Sequence, residues 1–505
     1  MAKLGLIADQ NPWWKLGSGF AQYDRHLSEL DRALIKVERR PLDLKPDNIY
    51  IIRGPRQVGK TTYLKAMIRD LLNRGVNPRH ILFLSLDQFS GRRELRESLD
   101  YFNNVSREQA QLYIFLDEIT RLEGWSEELK RLYDTGLTKR AAVVATGSSP
   151  SRIKELTERM PGRGVEGNEY LLKPLCFREF ALQIGRWLSA AHGLAKGDRA
   201  ALAELCSRLR ELTLGPESEA FDLKSFSRLD AFVRELFYLF DLYLRCGGYP
   251  RVINDHLLRK FEMRTDDIDS MLAESIVRDF MGDISRIGMR DEILALNILE
   301  EVIKHYGSRY SFNELARSVA AGEAAKKPSH VTAKNYLSVL EASFVVFVLY
   351  FMDQAGEINP DKQKKVYFFD PFFYSSLLSY RRGQTLWTII SEVLSDEESI
   401  SRLVEGVVVA HLRLWQEVPY RKEPWSFLGF YYDRSTEVDA VVKLDSGILG
   451  LEVKYRTQPK RKLKVPTHIK RMVVITQDEL SEGGGVLYVP APLFLALLSP
   501  SERNL

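Results

Sequence analysis

Along the first 185 residues, short apolar runs at 50–52, 80–86, 111–116 and 141–146 alternate with stretches whose apolar positions recur at helical spacing. Runs this short, apolar at consecutive positions, read as strands buried on both faces, and their alternation with helices predicts a mainly parallel α/β sheet. The pattern changes over 186–290, where Leu202, Leu205, Leu209 and Leu212 fall on one helical face and Gly247-Gly248-Tyr249-Pro250 marks a turn. This stretch reads as a helical attachment. Over 291–375, helices at 292–305, 312–319 and 331–342 precede β-branched and aromatic runs at 344–351 and 365–369, the order of a winged helix-turn-helix. Residues 376–398, polar and acidic from 391 onward, are expected to form a linker. From 399 to 505, a helix at 400–415 and strands near 427–432, 437–442, 449–455, 471–476 and 486–489 predict a second α/β domain. The fold class is therefore α/β multidomain, with a core over 1–185.

Composition adds bounds. A chain of 505 residues is too long for one core, and 45% hydrophobic with 28% charged residues is ordinary for a soluble globular protein. The formal net charge is only +4, so a nucleic-acid surface has to be local. Cys176, Cys206 and Cys246 are far apart and in no metal-ligand spacing, which predicts buried thiols in a reducing compartment. The apolar stretch 344–352 is too short to span a bilayer, and the N-terminus shows no signal pattern. A cytoplasmic protein without a membrane partner is expected.

The strongest chemical signal is Gly54-Pro55-Arg56-Gln57-Val58-Gly59-Lys60-Thr61-Thr62, directly after the apolar run that ends at Ile52. Two glycines let the backbone turn its N–H groups toward the phosphates of ATP. Lys60 adds a point charge, Thr61 offers a hydroxyl to Mg²⁺, and the following helix aims its positive end at the same anion. Downstream, the strand at 113–116 ends in Asp117 and Glu118. Asp117 is assigned to Mg²⁺ and Glu118 to polarising the attacking water; the competing reading makes the pair a helix cap. Ser148, after the strand at 141–146, is a γ-phosphate sensor or a helix N-cap. Arg163, between Gly162 and Gly164, supplies positive charge in cis or in trans, the latter implying a homo-oligomer, or is a surface arginine.

These segments together resemble the archaeal AAA+-type ATPase family. The likeness rests on Asn11-Pro12-Trp13-Trp14, the Gly54–Thr61 loop, Phe115-Leu116-Asp117-Glu118-Ile119 with Gly124-Trp125, Thr146-Gly147-Ser148, Pro161-Gly162-Arg163 and the segment 174–180. Gly247-Gly248-Tyr249-Pro250 and the segment 366–371 extend it over nearly the whole chain. The resemblance implies a P-loop ATPase core followed by a winged helix and a nuclease-like domain.

At the C-terminal end, Asp439, Glu452 and Lys454 lie on two strands joined around Asp445-Ser446-Gly447. A two-residue turn at Asp445-Ser446 sets Asp439 opposite Glu452. A turn at Ser446-Gly447 sets it opposite Lys454, and a three-residue loop breaks the alignment. Two carboxylates and a lysine on one sheet face make a site for Mg²⁺ or Mn²⁺, or else a solvated acidic face. The pattern resembles the restriction-endonuclease-like motif, an Asp followed by Glu-x-Lys, and the resemblance makes Glu405 a further metal contact. The segment after the motif holds Pro459 and Pro466, which shorten the helix the motif normally carries. It also holds a basic strip of Lys454, Arg456, Lys460, Arg461, Lys462, Lys464, Lys470 and Arg471, suited to a phosphate backbone. With Lys326, Lys327, Ser329, His330, Thr332, Lys334 and Asn335 around the candidate recognition helix, DNA is the expected partner. The function read from the sequence is a Mg²⁺-dependent ATPase coupled to a DNA-binding winged helix and a metal-dependent nuclease domain. Its alternative is a nucleotide-controlled switch on a non-cleaving scaffold.

Overall fold

Consecutive apolar residues in β1 (Asn48–Arg53) feed two cores at once, because side chains alternate across a strand. Ile49 and Ile51 face a core built with the helices Arg92–Val105 and Trp125–Asp134. Tyr50 and Ile52 face a second core, shared with the helix Lys60–Asn73. The sheet is wholly parallel, in the order β2-β3-β4-β1-β5, with β2 at Ile81–Ser85, β3 at Leu112–Asp117, β4 at Ala141–Gly147 and β5 at Glu169–Leu171. The strand after the phosphate loop in sequence, β2, is thus at the sheet's edge, and β4 lies between β1 and β3. The computed structural model describes residues 7–106, 110–147, 167–190, 194–214, 221–263, 265, 267–286, 291–321, 328–416, 427–456, 463–500 and 505. They cluster into two units, one up to Lys173 together with Leu505, the other starting at Pro174.

The open edge of β2 is covered by side chains. Asn11, fully buried, accepts from the Phe83 N–H at 2.7 Å and donates to the Phe83 carbonyl at 2.9 Å. Trp13 and Trp14 donate their indole N–H groups to the Ile81 carbonyl at 3.1 and 2.8 Å, and Gln10 accepts from the Ser85 N–H at 2.7 Å. The segment 10–14 therefore does the work of a neighbouring strand, which keeps the edge from pairing with another chain.

In the second unit, helices precede an eight-stranded mixed sheet of order β12-β13-β11-β10-β9-β8-β6-β7. Its strands are β6 (Val346–Met352), β7 (Ile358–Phe368), β8 (Leu428–Tyr432), β9 (Glu437–Leu444), β10 (Gly447–Lys454), β11 (Ile469–Thr476), β12 (Ser481–Gly483) and β13 (Val486–Pro490). Helices Glu292–Lys304, Phe312–Ala321 and His330–Ala342 pack on one another, and the last packs on β6. The β6–β7 ribbon expected of a wing is part of the larger sheet, joined to β8 by one parallel pair, Phe351 with Phe430. In sequence it reads as a separate segment, since the chain between β7 and β8 is about sixty residues long.

Residues 376–398 are helical where a linker is expected. Asp370 caps the helix Pro371–Arg382, which ends at left-handed Gly383, and Thr385 caps the next helix, Leu386–Ser395. Gly383 and Thr385 are the stop and start signals of these two helices, and the acidic residues from 391 onward lie on or between helices.

Asp370 also draws three distant segments together. Its Oδ2 accepts from the Gly248 N–H at 2.8 Å and its Oδ1 from the Phe372 N–H at 2.9 Å. The Gly248 carbonyl accepts from Leu175 N–H at 2.8 Å. A Cβ at Gly248 would lie 2.1 Å from the Leu175 carbonyl oxygen, and one at Gly247 2.0 Å from Asp370 Oδ1, so both positions require glycine. The three cysteines are free and buried, and burial pushes their thiols up in pKa.

Candidate functional site

In the first unit the site forms where β1 passes into the helix Lys60–Asn73. Gly54 has no room for a side chain, because a Cβ would lie 1.9 Å from the Leu172 carbonyl oxygen. Gly59 holds φ at 97°, a left-handed geometry that glycine adopts without strain, and starts the helix. The loop thereby closes around Lys60, whose ammonium is buried and donates to the carbonyls of Gly54 at 2.9 Å and Pro55 at 2.8 Å.

Across the sheet, Asp117 ends β3 with its carboxylate buried. Thr61 Oγ1 donates to its Oδ2 at 2.7 Å, and the Thr146 hydroxyl, at the end of β4, donates to its Oδ1. Burial raises the Asp117 pKa, and the two hydroxyls oppose that rise. Thr146 Oγ1 also accepts from the Glu118 N–H at 3.2 Å, while Glu118 itself takes a left-handed φ of 52°. Such a backbone is uncommon away from glycine and sets the direction of the Glu118 side chain. A glycine-shaped loop, a lysine inside it and a hydroxyl against a buried carboxylate form a donor set that fits Mg²⁺ with a nucleotide triphosphate. Thr61 and Lys65 also line a cleft of about 400 Å³ with Phe83, Ser85 and Gln10.

In the second unit, the β9–β10 hairpin turns at Asp445-Ser446, with Leu444 opposite Gly447 and Ala440 opposite Leu451. One further step in that register faces Asp439 with Glu452. Asp439 Oδ2 accepts from the Val453 N–H at 2.9 Å, and Lys454 Nζ lies 2.5 Å from Glu452 Oε1. Glu405 comes in on the helix Glu397–Gln416, which packs on β7 and β10. Between these acids stands a cation absent from the sequence-based site. Lys365 of β7, 1% exposed, places Nζ 3.0 Å from Glu437, 3.1 Å from Asp439 and 3.2 Å from Glu405. Tyr367 donates to Glu405 Oε1 at 2.5 Å. Burial works against the Lys365 charge, but Tyr367 and the carboxylates of Asp439, Glu405 and Glu437 hold its pKa well above the ordinary lysine value. Burial, and then the charge of Asp439, raise both Glu405 and Glu452.

Residues 46–181 match the family described as AAA domain. Most of that match falls in the first unit, over the phosphate loop and the ends of β3 and β4. Residues 238–384 match a domain of unknown function, DUF8612. An uncharacterized protein of Methanocaldococcus jannaschii, MJ1637, is 24% identical over 95% of this chain and 91% of its own length. An uncharacterized protein of Haemophilus influenzae is 24% identical over 60% of this chain and 62% of its own. Among solved structures, the ORC1 protein of Aeropyrum pernix, determined in complex with DNA, covers 75% of this chain and 94% of its own at 14% identity and a TM-score of 0.33.

Within the matched residues, Lys60, Thr61, Asp117 and Glu118 lie around one point, with the loop residues Gly54 to Thr62 beside them. Ser148 and Arg163 lie outside the described residues. The sequence marked Thr146 as a strand terminus and part of the Thr146-Gly147-Ser148 likeness but gave it no role, and its contact with Asp117 follows from the strand order. In the second unit Glu405, Asp439, Glu452 and Lys454 do converge, but not as an open metal site. Among the described residues, no group of three or more acidic, histidine or cysteine side chains is arranged to hold a metal, and an ammonium stands among these carboxylates. As arranged, this set does not fit a divalent ion. The basic strip is largely engaged: Lys464 donates to Ser435 at 2.8 Å, Lys470 to the Ser446 carbonyl at 2.6 Å, and Arg471 pairs with Glu482 at 2.7 Å. Lys326, Lys327, Lys460, Arg461 and Lys462 lie outside the described residues, and no described helix is long and apolar enough to cross a membrane.

Proposed function

We propose that the protein is a Mg²⁺-dependent ATP hydrolase that acts on DNA. The observation that carries the ATPase reading is the 2.7 Å contact of Thr61 with Asp117 beside a loop folded around Lys60. In this reading the loop N–H groups and Lys60 hold the β- and γ-phosphates, and Thr61 and Asp117 hold the ion. Bound Mg²⁺ neutralises charge on the phosphate oxygens. Glu118 orients the attacking water and takes its proton, while Ser148 and Arg163 are assigned to sensing and stabilising the γ-phosphate. Arg163 acts on a neighbouring copy if the protein assembles. Lys60→Ala tests the reading by nucleotide titration: ATP affinity should collapse while circular dichroism stays unchanged, and retained affinity refutes it.

DNA is assigned to the helix His330–Ala342, supported by a polar exposed face of His330, Lys334 and Asn335. The second unit is read as a restriction-endonuclease-like fold, supported by the Asp439, Glu452 and Lys454 face on its hairpin. The non-cleaving switch has its own support in the Lys365 ammonium inside that face. Incubation of the protein with single- and double-stranded DNA, Mg²⁺ or Mn²⁺, and ATP separates the two. Cutting lost in Asp439→Ala and Glu452→Ala favours the nuclease, and its absence alongside ATP turnover favours the switch.

A further inference from the structure

The parallel sheet of the first unit has a second edge, and it lies beside the phosphate loop. β5 is three residues long and, among the described strands, pairs with β1 alone. The Asn168 carbonyl accepts from the Ile51 N–H at 2.9 Å, and the Leu172 N–H donates to the Arg53 carbonyl at 2.7 Å. Residues 168 and 172 thus turn these groups to β1, and alternation turns the Leu171 carbonyl to the open side. There it accepts from the N–H of Leu505 at 2.9 Å.

Leu505 is held at two further points. Its carbonyl accepts from the Arg39 guanidinium at 3.1 Å. Its side chain, 3% exposed, belongs to the core that also contains Val58 of the phosphate loop, Tyr63 of the helix after it, and Leu172. Residue 505 is therefore part of the first unit, although the chain from Pro174 to Glu502 belongs to the second. The backbone that Leu505 braces is the one on which the loop rests. The Leu172 carbonyl oxygen would lie 1.9 Å from a Cβ at Gly54, so the first residue of the loop is seated directly against it. So short an edge strand has few hydrogen bonds of its own to hold it there.

We propose that Leu505 is a positioning residue of the ATP site. By closing the edge of β5 it fixes Leu171 and Leu172, and through them holds the start of the phosphate loop in the shape that receives phosphates. A loop fixed beforehand does not have to be ordered by the nucleotide, so the brace is expressed as affinity. The loop holds the phosphates before and during the reaction. Loosening it weakens both states alike, which raises KM and leaves kcat nearly unchanged.

This inference rests on the ATP-site reading given above, and its test separates the two. In the full chain, Leu505→Pro removes the N–H that Leu171 accepts, Leu505→Gly removes the side chain, and Leu505→Met keeps both. KM and kcat for ATP with Mg²⁺ are measured at a temperature where circular dichroism shows each variant folded. Hydrogen exchange at the Leu172 amide is measured without nucleotide. Leu505→Pro and Leu505→Gly should exchange Leu172 faster and raise KM about tenfold with kcat nearly unchanged, and Leu505→Met should behave as wild type. Faster exchange with an unchanged KM makes Leu505 an edge cover only and overturns the proposal. Unchanged exchange, or a fall in kcat as large as the rise in KM, overturns it too. Wild-type protein without ATP affinity would instead overturn the site reading, and this role with it. If Leu505→Gly does not fold, Leu505→Ala is held to the same comparison.

Discussion

The Thr61 hydroxyl donates to Oδ2 of Asp117 at 2.7 Å, joining the end of the phosphate loop to the end of β3 across the intervening strand β4. That contact places a neutral oxygen and a buried carboxylate together, and Glu118 follows on a left-handed turn. The division of labour predicts different failures. Asp117→Asn should abolish the Mg²⁺ dependence of nucleotide affinity, whereas Glu118→Gln should keep ATP affinity and lower turnover by roughly 100-fold or more. Parallel titration and phosphate-release assays with and without Mg²⁺ check the split. If Glu118→Gln turns over ATP at the wild-type rate, the water-activating assignment is wrong.

Thr146 connects the two acids, giving its proton to Asp117 and accepting from the Glu118 backbone. Thr146→Val keeps the shape and removes both bonds. Turnover should fall by about 10- to 100-fold with ATP affinity nearly unchanged, and Thr146→Ser should restore most of it. Steady-state kinetics on both variants decides this. A Thr146→Ser enzyme as impaired as Thr146→Val would show that the methyl group matters, not the hydroxyl.

What the sequence made legible was local in the chain. The phosphate loop needs only neighbouring residues, and the twin cores around β1 follow from consecutive apolar positions. Asp439 and Glu452 were legible as candidates for one sheet face, but three turns were open, and only the structure selects the Asp445-Ser446 turn that sets them opposite each other. The role of Thr146 was not legible, because it depends on β4 lying between β1 and β3. Lys365 was missed for the same reason: it meets Asp439 across 74 positions of chain and reads locally as one more lysine of a wing. Its only sequence signal is placement, a lysine two residues before Tyr367 in a strand whose other face carries Val366 and Phe368.

Asn11 tests whether segment 10–14 is an edge cover. Asn11→Ala leaves the Phe83 N–H and carbonyl without partners at a fully buried position, a loss of roughly 2–4 kcal/mol. The melting transition of the first unit should fall, and hydrogen exchange at the Phe83 amide should speed up before the sheet interior does. Unchanged protection at Phe83 would mean that another group covers the edge.

Asp370 gives the second unit a pH dependence of unusual sign. Burial raises its pKa from 3.8 to about 7, against the pull of the Gly248 and Phe372 N–H groups. In the unfolded chain the carboxyl has lost its proton by about pH 5, whereas in the folded chain it keeps it until about pH 7. The folded state therefore binds the extra proton across that window, so the contribution is greatest below the unfolded pKa and is lost as pH rises, at up to about 1.4 kcal/mol per pH unit. Asp370→Asn cannot ionise, but the NH₂ of its amide is a donor that would face one of the two N–H groups, so it should be less stable than wild type at pH 5. As pH rises to 8, the wild-type protein loses its advantage and the gap between the two should narrow. Calorimetry of the second unit's transition in both proteins, at pH 5, 6.5 and 8, reads that gap. A gap that widens with pH would mean that Asp370 is held ionised by its two backbone donors and that burial does not dominate.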